Sequence, residues 1–276
     1  MNAPRRLTDR LALTRNRHQR RRSKAMFLFQ AAMHEVSERL KDVNRTFTKV
    51  AIVTGHSDLW RAEFPQAKII PDTDTLDFAG TGYDLVIHAM SLHWADDPVG
   101  QIIQCARVLQ PDGLFLACLF GGETLIELRQ AMAQAETKIT GGLSPRIAPM
   151  AEIRDLGALL QRAGLALPVA DTQQSTASYL DTTHLMHDLR HMGEANSLAD
   201  RIRTPTPRSV FHQTQKIYAE HFSLPDGRIK ATFETVFLTG WAPAADQPKA
   251  LRPGSATHRL ADFLGTPDQK DPKPKD

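Results

Sequence analysis

Apolar positions along this chain switch between a two-residue and a three-to-four-residue period, and the switches outline an α/β sheet. The run Lys49-Val-Ala-Ile-Val-Thr-Gly55 is short, β-branched and stopped by a glycine, which predicts a buried strand over 50–54 ending in a tight turn. A second run, Ala67-Lys-Ile-Ile70, stops at Pro71-Asp72. A third, Tyr83-Asp-Leu-Val-Ile-His88, leads into Ala-Met-Ser-Leu-His-Trp94. Over 97–109 the apolar positions Ile102, Ile103, Ala106 and Leu109 follow helical spacing, with Asp96, Asp97 and Pro98 at the start. Pro111-Asp-Gly113 stops that helix. Leu114-Phe-Leu-Ala-Cys-Leu-Phe120 then predicts a strand covered on both faces. Strand, turn, helix, turn, buried strand is the grammar of a parallel sheet.

Further on, 152–163 is an amphipathic helix (Ile153, Leu156, Leu159, Leu160) stopped by Gly164. Two β-rich segments, 174–180 and 230–241, are separated by a mainly helical stretch with a break at Thr204-Pro-Thr-Pro207. The pattern predicts a helical insertion at about 181–225 between the last two strands. At the other end, neither proline nor glycine occurs between Leu7 and Leu40, and Met26, Phe29, Met33, Val36 and Leu40 share one helical face. Residues 1–45 thus read as a basic helical extension and 46–243 as one domain. The proline-rich, charged tail at 244–276 is expected to be disordered.

Composition narrows the classes. The chain has 276 residues, 41% hydrophobic and 24% charged, within the ordinary range for a globular protein. No apolar run approaches the ~18–20 residues of a membrane span, and no signal-peptide core opens the sequence. Two cysteines, Cys105 and Cys118, each in an apolar stretch, exclude a disulfide scaffold and a Cys-rich zinc site. They suit a reducing compartment. The cytoplasm is the expectation, with the mitochondrial matrix as the alternative because the start is Arg-rich and acid-poor. Residues 1–24 carry nine basic side chains against Asp9 alone, so a chain of net +3 has a body of net −5. That acidic body does not support nucleic acid as a partner. The basic head reads as a solvated helix face, or as an arm drawn to an acidic surface, anionic lipid or phosphate. With few large apolar side chains over 1–22, its removal is expected to leave the body folded.

Several blocks carry more specific information. They are Tyr83-Asp-Leu-Val-Ile-His-Ala-Met-Ser-Leu-His-Trp94, Arg107-Val-Leu-Gln-Pro-Asp-Gly-Leu-Phe-Leu-Ala117, Gly121-Gly-Glu-Thr-Leu-Ile-Glu-Leu-Arg129, Gly141-Gly-Leu-Ser-Pro-Arg146 and Phe233-Glu-Thr-Val-Phe-Leu-Thr-Gly-Trp-Ala-Pro243. Together they resemble class I S-adenosylmethionine (SAM) methyltransferase-like proteins. The branch is that of mitochondrial complex I assembly factor 5, with the malonyl-carrier-protein methyltransferase of biotin synthesis more distant. The resemblance implies a Rossmann-like seven-stranded sheet and SAM as cofactor. It places Gly55 at the methionine end of SAM, Asp72 and Thr73 at the adenine, and Ala89, Met90 and His93 on the reacting side. A glycine there admits the ligand where a Cβ would obstruct it.

The chain departs from that pattern at two points. Where the family has an acidic residue and several glycines, Ala51-Ile-Val-Thr-Gly-His-Ser-Asp58 retains Gly55 alone. The segment Ile69-Ile-Pro-Asp-Thr-Asp-Thr-Leu-Asp-Phe78 matches the family's third strand, leaving eleven residues, 57–67, where a helix–strand–helix unit needs about 30. The second strand and its ribose-binding carboxylate are therefore expected to be missing, with Asp58 or Asp72 as possible replacements. A lost charge-assisted contact costs roughly 1.5–3 kcal/mol per bond.

The resulting expectation is a methyltransferase-family protein with a weakened SAM site acting on a protein or carrier-bound substrate. Alternatives are a non-catalytic assembly factor or a protein hydroxylase of the complex I assembly type. No catalytic residue is assigned beyond His93 as a lining group. His184, His187 and His191 share a helical face beside Asp188, and read as a polar face rather than a metal site. Asp97 reads as a helix cap, and Trp60, Trp94 and Trp241 as packing residues. No nucleophile triad, phosphate loop or zinc spacing supports a hydrolase.

Overall fold

The computed structural model describes residues 6–19 and 23–247. The head holds α1 (Arg10–Gln19), a 3-10 turn (Ser23–Met26) and α2 (Phe27–Asp42). The long helical stretch is therefore broken without any proline or glycine. Asp9 starts α1 by accepting the Ala12 N–H at 3.0 Å. Then follow β1 (Val50–Thr54), α3 (Ser57–Glu63), β2 (Lys68–Ile70), β3 (Tyr83–Ala89) and a 3-10 turn (Leu92–Trp94). The remaining elements are α4 (Pro98–Val108), β4 (Leu109–Phe120), α5 (Ile126–Thr140), α6 (Ile153–Arg162), β5 (Ala166–Tyr179), α7 (Thr182–Met192), α8 (Arg208–Phe222) and β6 (Ile229–Trp241).

One sheet results, in the order β2-β1-β3-β4-β6-β5. The first four strands are parallel, while β6 runs antiparallel to both β4 and β5. This is a Rossmann-like α/β fold. It has six strands among the described residues rather than the seven that the resemblance implies. The short link over 57–67 holds only α3 and a turn, so one helix–strand unit is absent. β2 pairs with β1 directly, Ala51 opposite Lys68 and Val53 opposite Ile70. Asp72 therefore stands two residues beyond the strand next to β1, where the sheet can still present a carboxylate.

Strand alternation sorts the core into two layers. Ile52, Leu85, Ile87, Leu116 and Cys118 pack under α2, α5, α7 and α8, with Trp60 of α3. Ala51, Val53, Val86, Phe115 and Ala117 face the other way, onto α4 and α6 through Ile102, Cys105, Leu156 and Leu160. Asp97 caps α4, its Oδ1 accepting the Gly100 N–H at 2.8 Å ahead of Pro98 at the first turn. Asp181 caps α7 through the His184 N–H, and α7 ends at Gly193, whose φ of 86° suits a residue without a Cβ. Residues up to Pro243 form one unit. The disorder expected of the tail falls mainly on 248–276, outside the described residues.

Candidate functional site

The chain leaves β1 towards β2 on one side and returns to β3 on the other, so the sheet order reverses between β1 and β3. Ligands of open α/β sheets bind outside the carboxyl ends of the strands at such a point. Two loops meet there. The Gly55 N–H donates to Ser91 Oγ at 3.0 Å, and Ser91 Oγ donates to the Ala89 carbonyl at 3.1 Å. Ala89 and Met90 are fully buried, and Met90 takes a left-handed backbone with φ of 48°. Behind Gly55 the imidazole of His56 is fully buried, 4.3 Å from the ring of Phe29.

The cleft is filled from within the chain. Arg17 of α1 reaches into it, and its Nη1 lies 2.8 Å from Asp72 Oδ2, with only 5% of the side chain exposed. Arg10 Nη1 adds a 3.4 Å contact to the same oxygen, and its Nε lies 3.3 Å from Asp74 Oδ1. A Cβ built on Gly55 would collide with the Arg17 guanidinium. The space beside the one glycine of the turn is thus taken by an arginine. Nε and Nη2 of Arg17 are buried and have no hydrogen-bond partner among the described residues. In this conformation the residues do not fit SAM: the carboxylate that would meet its hydroxyl or amino donors is already ion-paired, and the close approach at Gly55 is used.

The helix that carries Arg17 is firmly seated. Asp96 Oδ1 accepts the N–H groups of both Leu7 and Thr8 at 2.9 Å, and Thr8 Oγ1 donates to the Trp94 carbonyl at 2.8 Å. Asp9 pairs with Arg201 at 2.9 Å, and its carboxyl is held below the usual range by the Ala12 N–H and Arg201. Leu13, 1% exposed, packs with Trp94, Ala148 and Leu198. These contacts tie residues 7–17 to the body, so their removal would cost stability even where the body stays folded. They also show that Arg10 and Arg17 serve the interior, whereas Arg20, Arg21 and Arg22 lie outside the described residues.

Beside Arg17 is a buried carboxylate that periodicity does not reveal. Glu194 follows Gly193 and accepts the Trp94 indole N–H at 2.7 Å. His93 Nε2 lies 3.3 Å from the same oxygen, and His56 Nε2 3.8 Å from the other. Burial alone would raise the Glu194 pKa. The nearby His56 imidazole and the hydrogen bond from His93, with the charges of His93 and Arg17, outweigh it and hold Glu194 ionised, well below the usual carboxylate range. His93 is thus locked between Glu194 and the Phe120 ring, 5.1 Å away, and Trp94 rather than His93 lines the neighbouring cavity.

That cavity, about 200 Å³, opens between α5, α7 and the loop before α6. Phe120, Leu128, Met132, Met186 and Phe233 give it an apolar wall, and Glu194 also lines it. Arg146 lines it while paired to Glu136 at 2.6 Å and bonded to Thr206 at 2.9 Å. Burial would raise the Glu136 pKa, but Arg146 and Ser144 bring it below the ordinary value.

The other expected residues are more dispersed. Thr73 is exposed, donates to the Thr75 carbonyl at 2.6 Å, and through its own carbonyl accepts from Gln101 at 3.1 Å. Asp58 is exposed on α3. On α7, the rings of His187 and His191 lie 6.1 Å apart, and His184 packs edge-on to Tyr179. Among the described residues no group of three His, Cys, Asp or Glu side chains could hold a metal ion. No described helix is long and apolar enough to cross a membrane.

Residues 32–117 match the methyltransferase domain family. The chain is 39% identical over 184 residues to the mitochondrial arginine-hydroxylase NDUFAF5 of Dictyostelium discoideum, covering 66% of this chain and 42% of that one. With NDUFAF5 of Rattus norvegicus it shares 37% over 201 residues, 73% and 58% of the two chains. With the malonyl-[acyl-carrier protein] O-methyltransferase of Xylella fastidiosa it shares 34% over 182 residues, 66% and 59%. It thus spans about half the length of these relatives. The chain is a class I methyltransferase-fold protein, related to both NDUFAF5 and malonyl-[acyl-carrier protein] O-methyltransferase.

Proposed function

We propose that this protein uses the methyltransferase fold to hold a protein-borne or carrier-borne client group in the apolar cavity, with Arg17 in place of a methyl donor. The observation that carries this reading is the Arg17–Asp72 ion pair across the donor cleft, seated against Gly55. The cavity favours an apolar group, because Met132, Met186 and Leu128 adapt to irregular shapes and Phe120 and Phe233 supply area. A client attached to a protein draws support from the relatives, one of which is named for a carrier-protein substrate. A reducing compartment, cytoplasm or mitochondrial matrix, suits the two free and buried cysteines.

A second reading, methyl transfer from SAM, is favoured by the surviving Gly55, Asp72 and Met90 at the switch point, and it requires Arg17 to leave. Methyl-labelled SAM incubated with the full chain and a cell extract separates the two. The first reading expects captured proteins without label, together with loss of capture by Leu128→Trp, which fills the cavity. Label transferred to a protein only when the chain is present would sink it and establish the second.

A further inference from the structure

We infer that the Arg17 side chain plugs the cleft at the switch point between β1 and β3 against an adenosyl thioether, and that removing this side chain opens a binding site for that ligand. The inference rests on the reading that the cleft is closed in the resting chain.

Four observations carry it. The guanidinium stands where a substituent on Gly55 would stand, so truncating it frees the backbone surface that a ligand would approach. Its fit is imperfect, since only Nη1 finds an acceptor while Nε and Nη2 are buried without one. A group chosen for stability alone would satisfy its donors. Asp72 does not depend on Arg17, because Arg10 keeps a 3.4 Å contact to the same oxygen. The helix does not depend on it either, for its anchors are Leu7, Thr8, Asp9 and Leu13, bonded or packed to Asp96, Trp94, Arg201 and Leu198. Arg17 can therefore be shortened while the surrounding walls stay in place.

Charge adds a direction. Arg17 and Arg10 face Asp72 and Asp74, and Arg17 also lies close enough to influence the ionised Glu194. With Arg17 gone, one cation leaves a cleft that keeps its carboxylates, and Asp72 gains a lone pair for a ribose hydroxyl or adenine amine.

The test is equilibrium dialysis of S-adenosylhomocysteine against three full-length chains. Unaltered protein and Arg17→Met, which keeps volume in the cleft, are expected to show no saturable binding up to about 1 mM. Arg17→Ala is expected to bind at least about tenfold tighter than that limit. Asp96→Ala, which releases the Leu7 and Thr8 amides without touching the cleft, should also increase binding by loosening α1. If Arg17→Ala and Asp96→Ala stay folded by circular dichroism and neither binds, the plug inference is overturned while the closed-cleft reading stands. If the unaltered chain binds as tightly as Arg17→Ala, both fail.

Discussion

His88 shows how a single buried side chain sets a pH limit on this fold. It is completely buried on β3, with its Nε2 2.7 Å from Gln101 Oε1, and Gln101 in turn donates to the Thr73 carbonyl. Burial pushes its pKa down to about 4, opposed by the Gln101 bond and Asp72 and reinforced by His93 and Arg10. An unfolded histidine titrates near 6.5, so the unfolded chain binds the proton more readily. The stabilisation is then complete above about pH 6.5 and declines as pH falls towards 4. By pH 5 the His88 share of the loss should reach about 2 kcal/mol in urea denaturation. His88→Leu should flatten the slope between pH 7.5 and 5 while lowering stability at neutral pH, and an unchanged slope would contradict the assignment. Arg146 is the second residue with a clear stake. Its replacement by alanine leaves Glu136, 4% exposed, with Ser144 as its main remaining partner, and should cost about 2–4 kcal/mol at pH 7.

Among the elements, α1 departs most from its sequence pattern. Burying Leu13 is worth about 2 kcal/mol, and the Asp96 bonds to Leu7 and Thr8 add to it. Deleting residues 1–19 should lower the thermal midpoint by about 5–10 °C, whereas a solvated arm would leave it unchanged. The strands β1 and β3, the apolar half of β4 from Leu114 and the helix α4 were legible because their signals are local: β-branched runs stopped by Gly55, or Asp97 and Pro98 before an apolar stripe. The start of β4 at Leu109, through Pro111-Asp-Gly113, was not legible. Other parts were hidden for the opposite reason. Arg17 sits in a polar run, and its acceptor Asp72 is 55 residues away. Glu194 meets the Trp94 indole across 100 residues. Periodicity reports which face of an element is apolar, not which distant charge pairs with which. The edge strand β5 begins at Ala166, earlier than its β-rich core, because most of its residues are exposed and carry no alternation.

For the whole molecule, a methyltransferase-fold sheet with one helix–strand unit fewer has kept the switch point between β1 and β3 and lined it with its own arginine. Six strands suffice for the fold because β2 moves in beside β1, so the loss falls on the ligand cradle and not on the core. Two regions follow: a switch point occupied by Arg17 of α1, and an apolar cavity lined in part by Glu194 and Trp94. If the cavity is where a client binds, Met132→Trp should abolish capture without shifting the thermal midpoint by more than about 3 °C. The most direct measurement is a calorimetric titration of SAM into the unaltered full-length chain. Closure by Arg17 predicts no saturable heat up to about 1 mM SAM. A saturable isotherm with a micromolar dissociation constant would contradict it.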